Sequence, residues 1–155
     1  MNKILMFDTE HGSHTLGGEA EIQEMFNCPV LKPSTFEAFG NTISGIFEQK
    51  EIVVDKTITK DLTIKEVQIQ TVPRNGSDIN TVIIDSFSEL AKKYQRSLVN
   101  KDGVMQMQSW GKLKNKLDKT LEFITRIPGV LIVTCHSKVE MLEDGRTRIK
   151  PYIDG

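Results

Sequence analysis

Two short apolar runs, Ile4-Leu5-Met6-Phe7 and Thr81-Val82-Ile83-Ile84, each close on a carboxylate, Asp8 and Asp85. A run that is apolar at every position needs cover on both faces, as the buried strands of a parallel α/β sheet have. The pattern therefore predicts strands at Lys3–Phe7, Thr81–Asp85 and Val130–Cys135, with Pro29-Val30-Leu31 as a shorter one. Between them the apolar period lengthens to that of helices. Glu19–Phe26 sets Ala20, Ile22 and Phe26 loosely on one side. Phe36–Phe47, with Ser34 as its N-cap, carries a stripe of Phe36, Phe39, Ile43 and Phe47. A third helix runs from Phe87 to Val99, marked by Phe87, Leu90, Ala91, Tyr94 and Leu98. The longest, Met107–Arg126, buries Trp110, Leu113, Leu117, Leu121 and Ile124 and turns Lys112, Lys114, Lys116 and Lys119 outward.

Residues 51–72 follow a different rule. Thr57-Ile58-Thr59 and Val67-Gln68-Ile69-Gln70-Thr71 alternate with period two around Lys60-Asp61, as half-exposed antiparallel strands do. Pro73-Arg74-Asn75-Gly76 closes the segment as a turn. We read 48–78 as a hairpin inserted into an α/β core. A second hairpin-like turn, Glu143-Asp144-Gly145, leads into an extended stretch over Arg146–Ile153. The order of strands and helices predicts one α/β domain over 1–155, a mostly parallel sheet with helices on both faces.

With 155 residues, the chain can bury a core of its own. No run approaches the ~18 apolar residues of a membrane helix, and Asp8 and Glu10 cut the first apolar stretch too short for a signal peptide. Cys28 and Cys135 make no metal or disulfide framework and read as reduced thiols of a cytosolic protein, Cys135 inside a buried strand. The net charge of −1 hides an asymmetry: residues 91–155 hold thirteen Lys/Arg against seven Asp/Glu, leaving seven against fourteen in 1–90. A basic half fits a nucleic-acid face, and it equally fits the solvated side of helices.

The carboxyl ends of parallel strands are where α/β proteins bind ligands. Asp85, closing a β-branched strand ahead of Ser86 and a helix, has the form of a Walker B carboxylate that holds Mg²⁺; its plainer role is to cap that helix. Glu10, just past a strand end, is placed to deprotonate a water, or is a solvated loop acid. His136, after the third long strand, can hydrogen-bond a terminal phosphate, or simply be a satisfied polar residue.

Together, "ILMFDTEHGSHTL", "TVIIDSFSEL", "SWGKLKNKLDKTLEFITRIPGVLIVTCHSK" and "GRTRIKPYIDG" resemble the RecA-like P-loop ATPases of bacteriophages, related to RecA and RadA. The resemblance covers most of the chain except about 48–78. It implies a partial RecA-like core that binds ATP and Mg²⁺ and acts in DNA recombination, repair or single-strand annealing in the host cytoplasm. It also implies homo-oligomers, with single-stranded DNA as a partner. Glu10 then matches the catalytic glutamate, Asp85 with Ser86 the Walker B element, and His136 the sensor. Arg146, Arg148 and Lys138 are then candidates for a basic finger reaching a neighbouring subunit's site, or are ordinary solvent-facing strand residues.

One departure stands out. The family's Gly-x-x-x-x-Gly-Lys-Ser/Thr loop, whose amides and lysine cradle phosphates, is missing. Gly111-Lys112 is the only Gly-Lys pair, and Gln106 stands where the loop's first glycine belongs. The chain is accordingly expected to be an incomplete ATPase domain, either a fragment or one whose first unit is encoded elsewhere, with little ATPase activity alone. A sheet lacking that strand would expose an edge to self-association or to a partner. Two rival readings follow. "MFDTEHG" resembles the first motif of Asp-x-Glu exonucleases, where Asp8, Glu10 and Asp85 would bind metal ions, although His136 and Asp144 do not fit that family's last motif. The other is an interaction module that has lost ATP binding.

Overall fold

The computed structural model describes residues 3–12, 17–60 and 62–151. Its centre is a four-stranded parallel sheet in the order β2-β1-β5-β6, formed by β1 (Lys3–Asp8), β2 (Val30–Leu31), β5 (Ile79–Asp85) and β6 (Val130–Val133). β1 and β5 pair in register from Ile4 opposite Thr81 to Asp8 opposite Asp85. β6 continues the sheet, with Thr81 opposite Val130 and Ile84 opposite Val133. Gly129 makes that approach feasible. Its φ is 98°, and a Cβ there would lie 2.1 Å from the Asn80 carbonyl oxygen.

The sheet's two faces are unequal. Leu5, Phe7, Val82 and Ile84 point into the main core. Helices α2 (Phe36–Ile46), α3 (Phe87–Leu98) and α4 (Met107–Thr125) cover them with Phe36, Phe39, Ile43, Leu90, Leu113, Leu117 and Ile124. Phe7 and Phe39 meet edge to face at 4.8 Å between ring centroids, a favoured geometry for buried aromatics. The opposite face has only α1 (Glu19–Phe26), whose Ile22 joins Met6 and Cys28 with Ile4, Val30 and Ile83 around them. The expected cover on both faces is therefore partial, because three of the four helices pack on one side.

Most elements fall where the pattern puts them, and the differences have local causes. Thr35, not Ser34, caps α2: its hydroxyl accepts from the Ala38 N–H at 3.0 Å. Phe47 belongs to the first ribbon strand yet stays wholly buried, so the apolar stripe outlasts the helix. In α1 only Ile22 is buried, because Phe26 sits at the helix's open end. Trp110 is 38% exposed, lying nearer the free end of α4 than Leu113 and Leu117. Cys135 falls beyond β6 and is exposed. β6 itself is not a buried strand. Leu131 and Val133 pack on the main core, whereas Val130 and Ile132 face the poorly covered side and are 55% and 46% exposed. Among the described residues β6 has no neighbour beyond β5.

The hairpin of residues 48–78 is a long antiparallel ribbon, β3 (Phe47–Thr59) with β4 (Leu62–Pro73). Its base is fastened to α4: the Thr71 N–H donates to the Arg126 carbonyl and the Thr71 hydroxyl to the Phe123 carbonyl, at 3.1 and 3.0 Å. Beyond the base, Val53, Ile58, Val67 and Ile69 are exposed. A 3₁₀ turn at Arg74–Gly76 ends the ribbon where a turn was expected. A second small hairpin pairs β7 (Ser137–Met141) with β8 (Thr147–Pro151). The expected Asp61 turn residue and residues 152–153 of the last extended stretch lie outside the described residues.

Burial pushes the Cys28 thiol up from its ordinary value against a smaller opposing pull from the Met6 backbone. A thiol reagent should therefore modify Cys135 at once and Cys28 only on unfolding; equal rates would contradict this packing. The open β6 edge should make the chain associate as its concentration rises, and Ile132→Lys should reduce that association without loss of helical signal. A wild-type chain that sediments as a monomer at high concentration would refute this role for the edge.

Candidate functional site

The carboxyl ends of β1, β5 and β6 form one rim, and the side chains that leave it are fixed by a short chain of hydrogen bonds. Thr9 is the stitch. Its N–H donates to the Asp85 carbonyl at 2.6 Å and its hydroxyl to the Ser86 carbonyl at 2.8 Å. The same hydroxyl oxygen accepts the Ser86 N–H at 2.9 Å. The Asp85–Ser86 peptide is cis. On the far side, the Thr134 N–H donates to the Ile84 carbonyl and the Phe87 N–H to the Thr134 carbonyl, at 3.0 and 2.9 Å. The last residues of three strands are thereby held at one level.

Asp85 stands at the middle of this rim. The Thr134 hydroxyl donates to its Oδ1 at 2.5 Å. Asp85 is not the helix cap that its position allows. Ser86 does that work, its Oγ accepting the Glu89 N–H at 3.3 Å at the head of α3. The carboxylate is thus left to the rim.

Glu10 and His136 meet. Glu10 Oε1 accepts from His136 Nε2 at 2.6 Å and also from the Ser86 hydroxyl. Both side chains are about one-third exposed, Glu10 at 35% and His136 at 39%. The His136 N–H donates to Ser88 Oγ at 2.9 Å, which fixes the backbone beneath the ring. The other ring nitrogen, Nδ1, lies 3.3 Å from Lys92 Nζ. An ammonium can only donate, so Nδ1 accepts and the ring proton sits on Nε2, directed at Glu10. Lys92 and Ser88 are one turn apart on α3, so a single helix face holds both ends of the histidine. Glu10, His136, Thr9, His11, Glu89 and Lys93 line a cleft of about 410 Å³.

Two further groups stabilise the turn after β1. Lys93 Nζ donates to the Thr9 and Pro33 carbonyls, each at 3.0 Å. Asp8, wholly buried, accepts the Gly12 N–H at 2.9 Å and has Lys32 Nζ at 3.8 Å. Asp8 thus serves the loop. Glu10 is engaged by Ser86 and His136, so Asp8, Glu10 and Asp85 have different hydrogen-bond partners. Among the described residues, no group of three or more His, Cys, Asp or Glu is arranged to hold a metal ion.

The sequence-predicted residues therefore divide. Glu10, Asp85, Ser86 and His136 come together on one rim. Arg146, Arg148 and Lys138 belong to the β7–β8 hairpin, and no contact of Arg146 or Arg148 with the rim residues is seen among the described residues. Arg146 reaches Asp144 at 2.5 Å, and its hydrogen bond holds that carboxyl below its usual range. Arg148 stands opposite Glu140 in the ladder, whose carboxyl is lowered chiefly by its hydrogen bond from Lys150. Thr9, Lys92, Lys93 and Thr134 were not foreseen. Thr9 and Thr134 had a weak signal, each being a hydroxyl beside a strand-end residue already singled out. Lys92 and Lys93 had none, since they read as ordinary helix exterior.

An open parallel sheet flanked by helices, with an acid, a hydroxyl and an imidazole at neighbouring strand ends, is consistent with a partial P-loop NTPase core. The family model for the AAA domain matches residues 1–155. The chain belongs to that family, whose members are ATPase-type nucleotide-binding domains that use ATP and Mg²⁺. No curated protein and no solved structure matches it. No helix among the described residues is long and apolar enough to cross a membrane.

The rim fits Mg²⁺ in one respect. Mg²⁺ keeps most of its waters and takes one or two carboxylates together with phosphate oxygens, and Asp85 is such a carboxylate. For the phosphates themselves the sequence has no Gly-x-x-x-x-Gly-Lys loop, and Lys93, the nearest ammonium to Thr9, is already committed to two carbonyls.

Lys92 should set the tautomer of His136. In Lys92→Met, the imidazole ¹⁵N resonances should shift from a pure Nε2–H form toward a mixture. Folding should be retained, because such a half-exposed contact contributes only about 0–1 kcal/mol. Unchanged resonances would mean that Glu10 alone fixes the ring.

Proposed function

We propose that this chain forms the hydrolytic side of an ATP-dependent, RecA-like phage protein that works on DNA in recombination, repair or annealing. The observation that carries the reading is the convergence of Glu10, Asp85 and His136 on three neighbouring strand ends. Each has a distinct task. Asp85 is the carboxylate for Mg²⁺, with Ser86 beside it, and Glu10 is the base that orients and deprotonates water. His136 holds Glu10 through Nε2–H and exchanges that partner for a phosphate oxygen when nucleotide is present. Glu10 is thereby kept engaged until the site is filled. Arg146 and Arg148, on the β7–β8 hairpin, suit a finger for a neighbouring subunit in a homo-oligomer. Single-stranded DNA is the partner, and the host cytoplasm the place of action.

The second reading, an interaction module without ATP binding, is favoured by one observation, the missing phosphate loop. Titration with a non-hydrolysable ATP analogue and Mg²⁺ separates the two and tests the incomplete cradle. The chain alone should bind weakly, at millimolar rather than micromolar concentration, a difference of about 4 kcal/mol. Asp85→Asn should abolish the Mg²⁺ dependence of that binding. Tight binding by the chain alone would overturn the incomplete cradle. Weak binding unaffected by Asp85→Asn would favour the module.

A further inference from the structure

The second concentration of chemistry lies away from the rim, between α2 and α4. Lys112, Lys116 and Lys119 recur at i, i+4 and i+7, which sets them in one row about 10 Å long on the helix surface. Lys114, read from sequence as part of the same face, falls about 160° from Lys116 and belongs to the other flank. All four are exposed. Of the two acids on α4, Glu122 is already paired with Arg126 at 2.6 Å, and Asp118, four positions after Lys114, lies on the other flank.

Lys116 and Lys119 form one wall of a cleft of about 320 Å³, with Thr120 beside them and Gly40, Asn41 and Ser44 of α2 opposite, Glu37 being the one carboxylate in its lining. The half-buried ring of Phe123 lines it as well. Gly40 is an independent pointer. A glycine inside a helix weakens it relative to alanine, and nothing in the packing demands one here, because an added Cβ would meet no atom within 4 Å. The space it leaves open belongs to the cleft. No residue of this cleft is shared with the one at the rim.

We propose that the α2–α4 cleft is a track for the backbone of single-stranded nucleic acid. Ammonium groups in a row, amide and hydroxyl donors opposite, and an aromatic ring in the same groove are the elements that bind a single strand without reading its sequence. The choice of nucleic acid over other polyanions rests on the function proposed above; the cleft and its lysines do not.

Fluorescence anisotropy with a labelled short oligothymidylate, in the absence of nucleotide and over a salt series, tests this. Wild-type chain should bind, with affinity falling steeply as salt rises. Lys116→Glu with Lys119→Glu should weaken binding at least tenfold and flatten the salt slope by about two. Lys114→Glu, a charge reversal on the other flank, should cost much less. Gly40→Leu should weaken binding by filling the cleft at unchanged charge, and its fold is checked by circular dichroism. Four results would overturn the proposal: no binding by the wild-type chain, an equal loss from Lys114→Glu, equal binding of a duplex, or displacement by polyglutamate as effective as by unlabelled oligothymidylate. Because nucleotide is absent, failure here leaves the rim reading standing. Failure of the ATP-analogue titration likewise leaves the track standing.

Discussion

The parallel pairing of β1 with β5 is the constraint on which the other features depend. It sets Asp8 opposite Asp85, and the Thr9 hydroxyl, giving one hydrogen bond to Ser86 and taking another, fixes the level of the two strand ends. Thr9 is almost wholly buried, so both bonds form away from water, where leaving them unmade would be costly. From that one junction Asp85 is presented at the rim, Ser86 is placed to cap α3, and Glu10 is carried toward His136. α3 in turn brings Ser88 and Lys92 to the histidine. The site is a consequence of strand register more than of any loop.

The division of labour among the acids follows from burial. Asp8, sealed under the turn, is balanced by a backbone N–H and a lysine and acts on the loop. Asp85, half a turn of chain from a helix start, escapes capping duty only because Ser86 takes it. Glu10 is exposed enough to exchange partners, and its present partners are a hydroxyl and an imidazole, both of which can let go without stranding a buried charge. Three carboxylates within one motif region thus have three different fates.

Much of this could be read from the sequence, and the limits were physical. Continuous apolar runs identify β1 and β5 because one face of each is sealed in the main core and the other is partly covered by α1. The same pattern misleads at β6, where Val130 and Ile132 are apolar but open to solvent; periodicity reports composition, not what lies across the sheet. Helix stripes place α2, α3 and α4 well, and err at their ends, at Phe47 and Trp110, where packing from another element or its absence decides. Glu10, Asp85, Ser86 and His136 were legible because each sits at a strand end. Lys92 was not, because its partner, His136, is 44 positions away and only the fold brings them together. The lysine row became distinct from Lys114 only once α4's buried side was known.

The β3–β4 ribbon has a bearing on how the chain reaches this structure at all. Thr9 and Ser86 are 77 positions apart, and joining β1 to β5 must close the loop between them against chain entropy. A hairpin forms from neighbouring residues within microseconds, and once formed it brings Phe47 beside Pro73, removing about a third of the intervening chain from the count. Each halving of an open loop lowers its closure cost by about 0.6 kcal/mol. The ribbon, with α2 leading into it, acts as a ready-made short cut between the two strands whose meeting creates the rim.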